Sequence, residues 1–402
     1  MIEIKPNIQH QSNCPYCQNS LKPINVKWQG MYIYVESICS KCSTELIENL
    51  KISHLIHKYF QIDVEKSKFW WEGTAIDHAK ILLNSLNHPE SDQLEIKKEL
   101  FKPSKQVIIL NCIDHLYGHC LLKLLNAQRY LDSYPDYGLV IIIPKFMRWM
   151  VPEGVAEVWT VPIPLSKSFC YYPSFAEFVS EELKRFDQVY VSKAYSHPSQ
   201  FDITRFTRVP KHGFDQAEFK ITFIWREDRM WFGDENRLNQ LIFRVLRKLK
   251  MLKPILFLQN WRVRRLLAKI KTKVPSATFV VAGLGTQTKF PTWIEDLRVK
   301  QFEEKTEKQM CKVYADSRLV IGIHGSNMLL PSGHAGMTLD LMPDARWNNF
   351  AQDILYQETD PRLASFRYRY LPLHTNIQRI ADIASTMLLQ RPEFYLQMTS
   401  DR

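Results

Sequence analysis

What this chain lacks narrows its possibilities first. In 402 residues there is no run of 18 or more apolar residues, which excludes a conventional membrane-spanning helix. The opening MIEIKPNIQHQSNC has no basic-then-apolar leader pattern, so a chain made and kept in the cytoplasm is expected, soluble or peripheral at the inner face of the membrane. No internal repeat and no low-complexity tract occur, which removes solenoids and linker-type proteins. A hydrophobic content of 45% with 12% aromatics excludes a disordered chain. The length predicts two domains with a small appendage.

Acidic residues are also missing where they would be expected. Between 236 and 294 there is no Asp or Glu, while 13 of the 53 Lys and Arg residues fall there. The formal charge of +11 is therefore concentrated in that one segment. Such a run reads first as amphipathic helices packed on a sheet with solvated charges. Two functional readings stand beside it: a surface over 244–273 resting on an anionic membrane, and a nucleic-acid surface over 237–273. Pro254 divides the run, predicting two helices rather than one.

What is present begins with cysteine. Of eight cysteines, Cys14, Cys17, Cys39 and Cys42 form the knuckles CPYC and CSKC. Paired C-x-x-C turns place four thiolates around one tetrahedral ion, and a closed four-sulfur site is structural. A structural Zn2+ is the expected cofactor, since two disulfides are disfavoured in a reducing compartment. Residues 1–50 then read as a zinc ribbon, with 21–37 as its hairpin, and 51–75 as a connector whose Trp70 and Trp71 dock on a neighbouring domain.

From 76 to 215 apolar strands alternate with helices: strands at 107–112, 139–144, 158–162 and 189–192, helices at 121–131 and 175–185. The alternation restarts over 216–372, with a strand at 220–225, helices at 236–249 and 260–271, a strand at 278–282 and a helix at 302–315. A final segment, 373–402, carries a helix at 376–389 that could cross back to the first domain. Buried strands alternating with helices specify an α/β fold with parallel sheets covered on both faces.

The most informative stretch is 319–343, LVIGIHGSNMLLPSGHAGMTLDLMP. An apolar strand breaks at His324-Gly325-Ser326-Asn327, a helix-like segment follows, and a second strand carries Asp340. Gly325 lets backbone approach a ligand, and Ser326 or Asn327 is expected to cap the helix, whose N–H groups would face an anion. A strand-end carboxylate such as Asp340 can bond sugar hydroxyls, so a nucleotide or nucleotide-sugar is the implied ligand. Arg226 and Arg229 end the strand of ITFIWREDR, where a planar fork suits a diphosphate. In the first domain VIILNC runs into Asp114-His115-Leu116-Tyr117-Gly118-His119, and either Asp114 or His119 could act as a general base.

The segment around His324-Gly325 resembles the HG-centred motif of glycosyltransferase family 61. The order Arg226, Arg229, Asn236 before a helix is similar to that family's donor strand, and Tyr117-Gly118-His119 with the later IIIP is similar to its first-domain turn. Ser326-Asn327 stands where the family more often has small residues, and Asp340 where it usually has Glu. The resemblance covers roughly 105–345 and does not extend to the zinc ribbon. It implies a GT-B-like fold of two Rossmann-like domains facing a cleft, 76–215 for the acceptor and 216–372 for the donor. It further implies an inverting transferase moving a sugar from a nucleotide-diphosphate donor to a hydroxyl of a glycan or related acceptor. Catalysis would fall to Asp114 and His119, and donor binding to Arg226, Arg229, Asn236, His324, Gly325, Ser326, Asn327 and Asp340. No Asp-x-Asp occurs, in keeping with the absence of a catalytic metal. Two rival readings are a zinc-ribbon nucleic-acid-binding protein, for which nucleic acid is the disfavoured partner, and an inactive glycan-binding relative.

Overall fold

The computed structural model describes residues 1–399 apart from 216–217, 228, 232–244, 247–252, 286–287, 302 and 352–353. The helix expected at 236–249 lies outside the described residues except at 245–246, and Asn236 lies outside them altogether. The chain divides into two compact units, Met1–Phe206 and Thr207–Arg402.

In the first unit β1 (Ile2–Lys5) precedes a five-stranded antiparallel meander: β2 (Leu21–Trp28), β3 (Ile33–Cys39), β4 (Glu45–Asn49), β5 (Phe60–Asp63) and β6 (Lys68–Trp71). After the helix Ala75–Asn87 come β7 (Lys97–Leu100), β8 (Gln106–Asn111), β9 (Gly138–Pro144), β10 (Glu157–Val161) and β11 (Gln188–Val191). These build a second sheet in the order β1-β11-β8-β9-β10-β7. Its four inner strands are parallel, and β1 and β7 close the edges antiparallel. Every residue of β9 is buried, which is what covering on both faces demands of GLVIIIP. Edge strand β7, Lys-Lys-Glu-Leu, has no apolar period to announce it, but charge on an edge blocks pairing with another chain.

The ribbon differs from its sequence reading in extent. The stretch 51–75 is not a bare connector, because it supplies β5 and β6 to the antiparallel sheet. Each of these strands is four residues long, and β5 takes its place by pairing with β4 on one side and β6 on the other. Trp70 packs edge-on against Tyr16 at 5.0 Å beside the cysteines, whereas Trp71 stays half-exposed.

The two sheets of this unit share one core, in which Trp28, Tyr32, Phe60 and Leu82 meet Val107, Ile142, Trp159 and Phe175. The β2–β3 hairpin docks at the end of β8. There Asn111 Nδ2 donates to the Gly30 carbonyl at 2.7 Å, Met31 N–H donates to Ser168 at 3.3 Å, and Gln29 Nε2 donates to the Phe169 carbonyl. Gly30 has φ +153, and a Cβ there would lie 3.0 Å from the Ser168 oxygen, so a side chain would push the hairpin off its seat.

In the second unit β12 (Lys220–Arg226), β13 (Thr278–Leu284), β14 (Glu295–Asp296), β15 (Leu319–Ile323), β16 (Met337–Met342) and β17 (Tyr368–Pro372) form one parallel sheet ordered β14-β13-β12-β15-β16-β17. The helix Lys253–Lys273 covers one face through Leu256, Val263, Leu266, Leu267 and Ile270. Pro254 lies in the first turn of this helix, where a proline forfeits no intrahelical bond, and residues 247–252 before it lie outside the described ones. The last helix, Ile377–Thr399, packs into the same core through Ile380, Ala384, Met387 and Leu388.

Strand order fixes where a ligand can enter. In the first unit the chain moves outward from β8 to β9 and β10, then returns to place β11 on the other flank of β8. In the second it moves from β12 to β13 and β14, then places β15 on the other flank of β12. At such reversals the loops leaving the strand ends diverge and open a crevice. The reversals lie beyond the carboxyl ends of β8 and β11, and of β12 and β15.

Replacing Asn111 with Ala strands the Gly30 carbonyl and is expected to cost about 1–3 kcal/mol of stability. Denaturant titration reads this directly, and an unchanged midpoint would show that the hairpin is held by other contacts.

Candidate functional site

The four ribbon cysteines converge. Cys14 and Cys42 sulfurs lie 3.6 Å apart, Cys17 and Cys39 3.5 Å, Cys17 and Cys42 3.7 Å, and all four fall within 4.8 Å of one another. Sulfurs about 2.3 Å from one tetrahedral ion must be separated by roughly 3.8 Å, whereas a disulfide needs about 2.05 Å. The spacing is that of a metal site. Both knuckles close alike: Gln18 N–H donates to Cys14 and Ser43 N–H to Cys39, with φ of 60° and 57° at Gln18 and Ser43. The Thr44 hydroxyl, 3.2 Å from Cys42 Sγ, draws that thiol down to about 6, while burial pushes Cys14 up to about 11. A Zn2+ held here would keep all four as thiolates.

At the reversal of the first unit stands Asp114, three residues beyond β8 and only 1% exposed. Its carboxylate gathers partners from several elements. His54 Nε2 lies 2.9 Å from Oδ2, on a turn between β4 and β5. Lys123 Nζ also lies 2.9 Å from Oδ2, and it donates to the Ile113 carbonyl at 2.8 Å. The His115 backbone N–H reaches Oδ1 at 2.8 Å and His119 Nδ1 reaches it at 3.1 Å. Around them His78 faces His54 at a ring distance of 6.4 Å and meets the Tyr32 hydroxyl at 2.9 Å. His197, in the segment after β11, is lowered by burial and then by the nearby charges of His119 and His54.

Burial alone would raise the Asp114 carboxyl. The Lys123 ammonium and the N–H groups of His115, His119 and His54 outweigh it and hold Asp114 well below the usual carboxylate range. His54, Asp114 and His119 bring donor atoms close enough for a metal ion. However, Lys123 already neutralises the carboxylate, so a cation would face an ammonium in a buried site. The arrangement suits imidazoles oriented by a carboxylate, each donating one ring N–H and offering the other nitrogen as a base. Sequence spacing brings Asp114 and His119 together, but His54 is 60 residues away along the chain. Lys123 carried a signal: a charge among Leu121, Leu122, Leu124 and Leu125 must find a buried partner.

At the reversal of the second unit Arg226 ends β12, and Arg229 bridges back to it. Arg229 Nη1 donates to the His324 carbonyl at 3.3 Å. Gly325 has φ +144, and a Cβ on it would stand 2.7 Å from Arg229 Cζ, so only glycine lets the guanidinium lie on the backbone. The wholly buried Gln259 donates to the carbonyls of Arg226 and Arg229 at 3.2 and 3.4 Å and accepts from Trp231 N–H at 3.1 Å. It fixes the loop carrying both arginines, and nothing in its local sequence marks it.

His324 is buried, with Nδ1 2.9 Å from Asp340 Oδ2, which also accepts from the Tyr368 hydroxyl at 2.8 Å. Asp340 has no exposure, and its Oδ2 holds the His324 ring in one orientation. The expected capping by Ser326 or Asn327 does not occur. A 3-10 turn, Ser326–Met328, comes first, and neither it nor the six-residue helix Leu329–His334 has a side-chain cap. Asn327 Nδ2 donates instead to the Ile323 carbonyl at 3.2 Å. Among the described residues, no helix is long and apolar enough to cross a membrane.

The protein is expected to carry one equivalent of zinc, released on thiol modification and lost in Cys39→Ser with a lower Tm. Metal retained in that variant would refute the four-sulfur site. Burial lowers His54, and it lowers His78 to about 4. An unfolded histidine titrates near 6.5, so below that pH the unfolded chain binds more protons than the native one. Stability contributed by neutral His78 is therefore present above about 6.5 and lost as the pH falls towards 4. Tm measured from pH 7.5 to 4.5 should fall more steeply in the native protein than in His78→Gln, and identical slopes would sink this assignment.

No protein-family model and no curated protein matches this chain. Among solved structures it is similar to the E. coli ADP-heptose LPS heptosyltransferase II, with 12% identity and a TM-score of 0.41 over 71% of this chain and 100% of that one. It is also similar to a GtfA/B complex, with 9% identity and a TM-score of 0.26 over 92% of this chain and 74% of that one. Both TM-scores fall below 0.5 and carry no argument; the α/β class rests on the strand order itself.

Proposed function

We propose that the chain is a glycosyltransferase that moves a sugar from a nucleotide-diphosphate donor to a hydroxyl of a glycan-type acceptor. The observation that carries this reading is the pair of chemically distinct sites at the two strand-order reversals. Oriented imidazoles stand at one, and at the other Arg229 lies over a glycine turn beside the strand that ends in Arg226. The motif resemblance to glycosyltransferase family 61 falls on these same residues and supports it.

In this reading Arg226 and Arg229 hold the donor diphosphate, and their charge stabilises it as it leaves. His324 lines the same turn, held in one orientation by Asp340 and Tyr368. In the first unit Asp114 keeps the proton of His119 on Nδ1, so Nε2 can accept the acceptor hydroxyl's proton as its oxygen attacks the anomeric carbon. The bond to the diphosphate breaks as the new glycosidic bond forms, and such a single displacement inverts the anomeric centre. No step uses a catalytic metal, and zinc at the ribbon serves structure. The outer face of the helix Lys253–Lys273 exposes Phe257, Leu258 and Trp261 beside Arg264 and Arg265, which suits acceptors carried on an anionic membrane.

A thermal-shift screen of nucleotide-diphosphate sugars is expected to find a stabilising donor. Arg226→Ala should abolish that response. His119→Ala should keep it while lowering kcat/KM about 10²–10⁴-fold. No stabilisation by any donor, together with salt-sensitive nucleic-acid binding lost on charge reversal in 244–273, would move the assignment to a nucleic-acid-binding protein.

A further inference from the structure

The second unit carries a cationic cluster that this function does not use. Arg318, Arg367 and Arg391 surround a single ring, Phe214, with guanidinium carbons 5.3, 4.9 and 3.5 Å from its centroid. Arg318 immediately precedes β15 and Arg367 immediately precedes β17, so the cluster lies at the amino-terminal edge of the sheet. Arg226 and His324 stand at the opposite edge. Arg391 comes from the last helix, next to Pro392.

Stacking occupies the faces of the guanidiniums and leaves their in-plane N–H donors to be satisfied. Arg318 Nη2 donates to the Phe214 carbonyl at 3.2 Å. Arg367 Nε donates to the Gly336 carbonyl at 3.0 Å, and its Nη1 reaches Glu358 at 3.3 Å. Arg391 stacks on Phe214 and on Tyr395 at 4.6 Å, but makes no hydrogen bond or ion pair among the described residues, although its Nε is buried. His212, 6% exposed, packs edge-on against Phe214 at 4.9 Å. Its Nδ1 meets the Ala315 carbonyl at 2.9 Å, and its Nε2 is buried with no partner among the described residues. Among the described residues the carboxylates acting on the cluster are Glu358, on Arg367, and Asp215, whose field reaches Arg318. Burial and mutual repulsion lower Arg391 to about 10, and burial lowers Arg318 and Arg367 as well.

We propose that Arg318, Arg367 and Arg391 form a binding site for a small phosphate-type dianion, separate from the donor site. Three like charges held around one ring are mutually destabilising, and an oxyanion among them offsets that repulsion while accepting the N–H donors of Arg391. The shared chemistry is a phosphoryl group, either inorganic phosphate or the phosphate of a small monoester.

The test uses the full chain at low ionic strength, with thermal unfolding followed against inorganic phosphate and glycerol phosphate and with chloride as the ionic-strength control. Saturable stabilisation beyond chloride is expected, retained in Arg226→Ala and lost in both Arg391→Met and Arg318→Met. Arg391→Lys, which keeps the charge and loses the planar fork, should bind about tenfold more weakly. Tighter binding of the monoester would identify a phosphorylated metabolite as the occupant, and tighter binding of phosphate would identify the free ion. No saturable effect in the native protein, or an effect undiminished in Arg391→Met, would overturn the site. Loss of the phosphate response in Arg226→Ala would place the anion at the donor arginines instead and would equally overturn it.

Discussion

A buried carboxylate is the constraint around which the first unit is arranged. Asp114 has almost no exposure, and an unpaired charge in that position would cost several kcal/mol. Its partners therefore come from wherever the fold can supply them: Lys123 and His119 from one helix, His54 from a turn of the antiparallel sheet. Because the carboxylate ties these elements together, packing and chemistry cannot be separated here. The second unit repeats the device in smaller form, with Asp340 on β16 holding His324 at the end of β15. In both units an acid removed from solvent fixes an imidazole beside the point where strand order reverses.

The antiparallel sheet acquires a larger role from the same geometry. It begins at the four-sulfur cluster and ends beside the helix that carries His78. Its hairpin is pinned by Asn111, the last residue of the strand that leads to Asp114. The ribbon is thus part of the wall of the candidate site, and His54 is its contribution. Metal-dependent folding of the ribbon would reach the imidazole cluster through β4 and the turn after it.

The proposed donor side is built from backbone conformation as much as from side chains. Gly325 makes room for Arg229, and Gln259 anchors the loop by its carbonyls and a backbone N–H. In the short 3-10 turn after Gly325, Met328 N–H donates to the Gly325 carbonyl at 2.7 Å, and no side chain caps the turn. In the proposed donor site the arginines supply the charge for an anion, and that charge does not depend on helix length.

Much of this architecture was legible in the residues alone. Runs such as VIILN, GLVIIIP and LVIGI can be stable only as strands buried on both faces, so the α/β class and the positions of β8, β9, β15 and β16 follow from composition and period. The C-x-x-C pairs likewise announce their cluster, because the ligands of each turn are neighbours in sequence. β1, β5, β7 and β17 were not legible, since short or charged edge strands take their conformation from the partner they pair with. The same limit applies to the site. Asp114 lies just before the helix that carries His119, five residues on, but His54, Gln259 and Arg391 meet their neighbours across long loops of chain. Local periodicity fixes which segments become strands and helices. Only the tertiary structure decides which distant polar groups share a buried charge, because that is set by how sheets and helices stack and not by spacing along the chain.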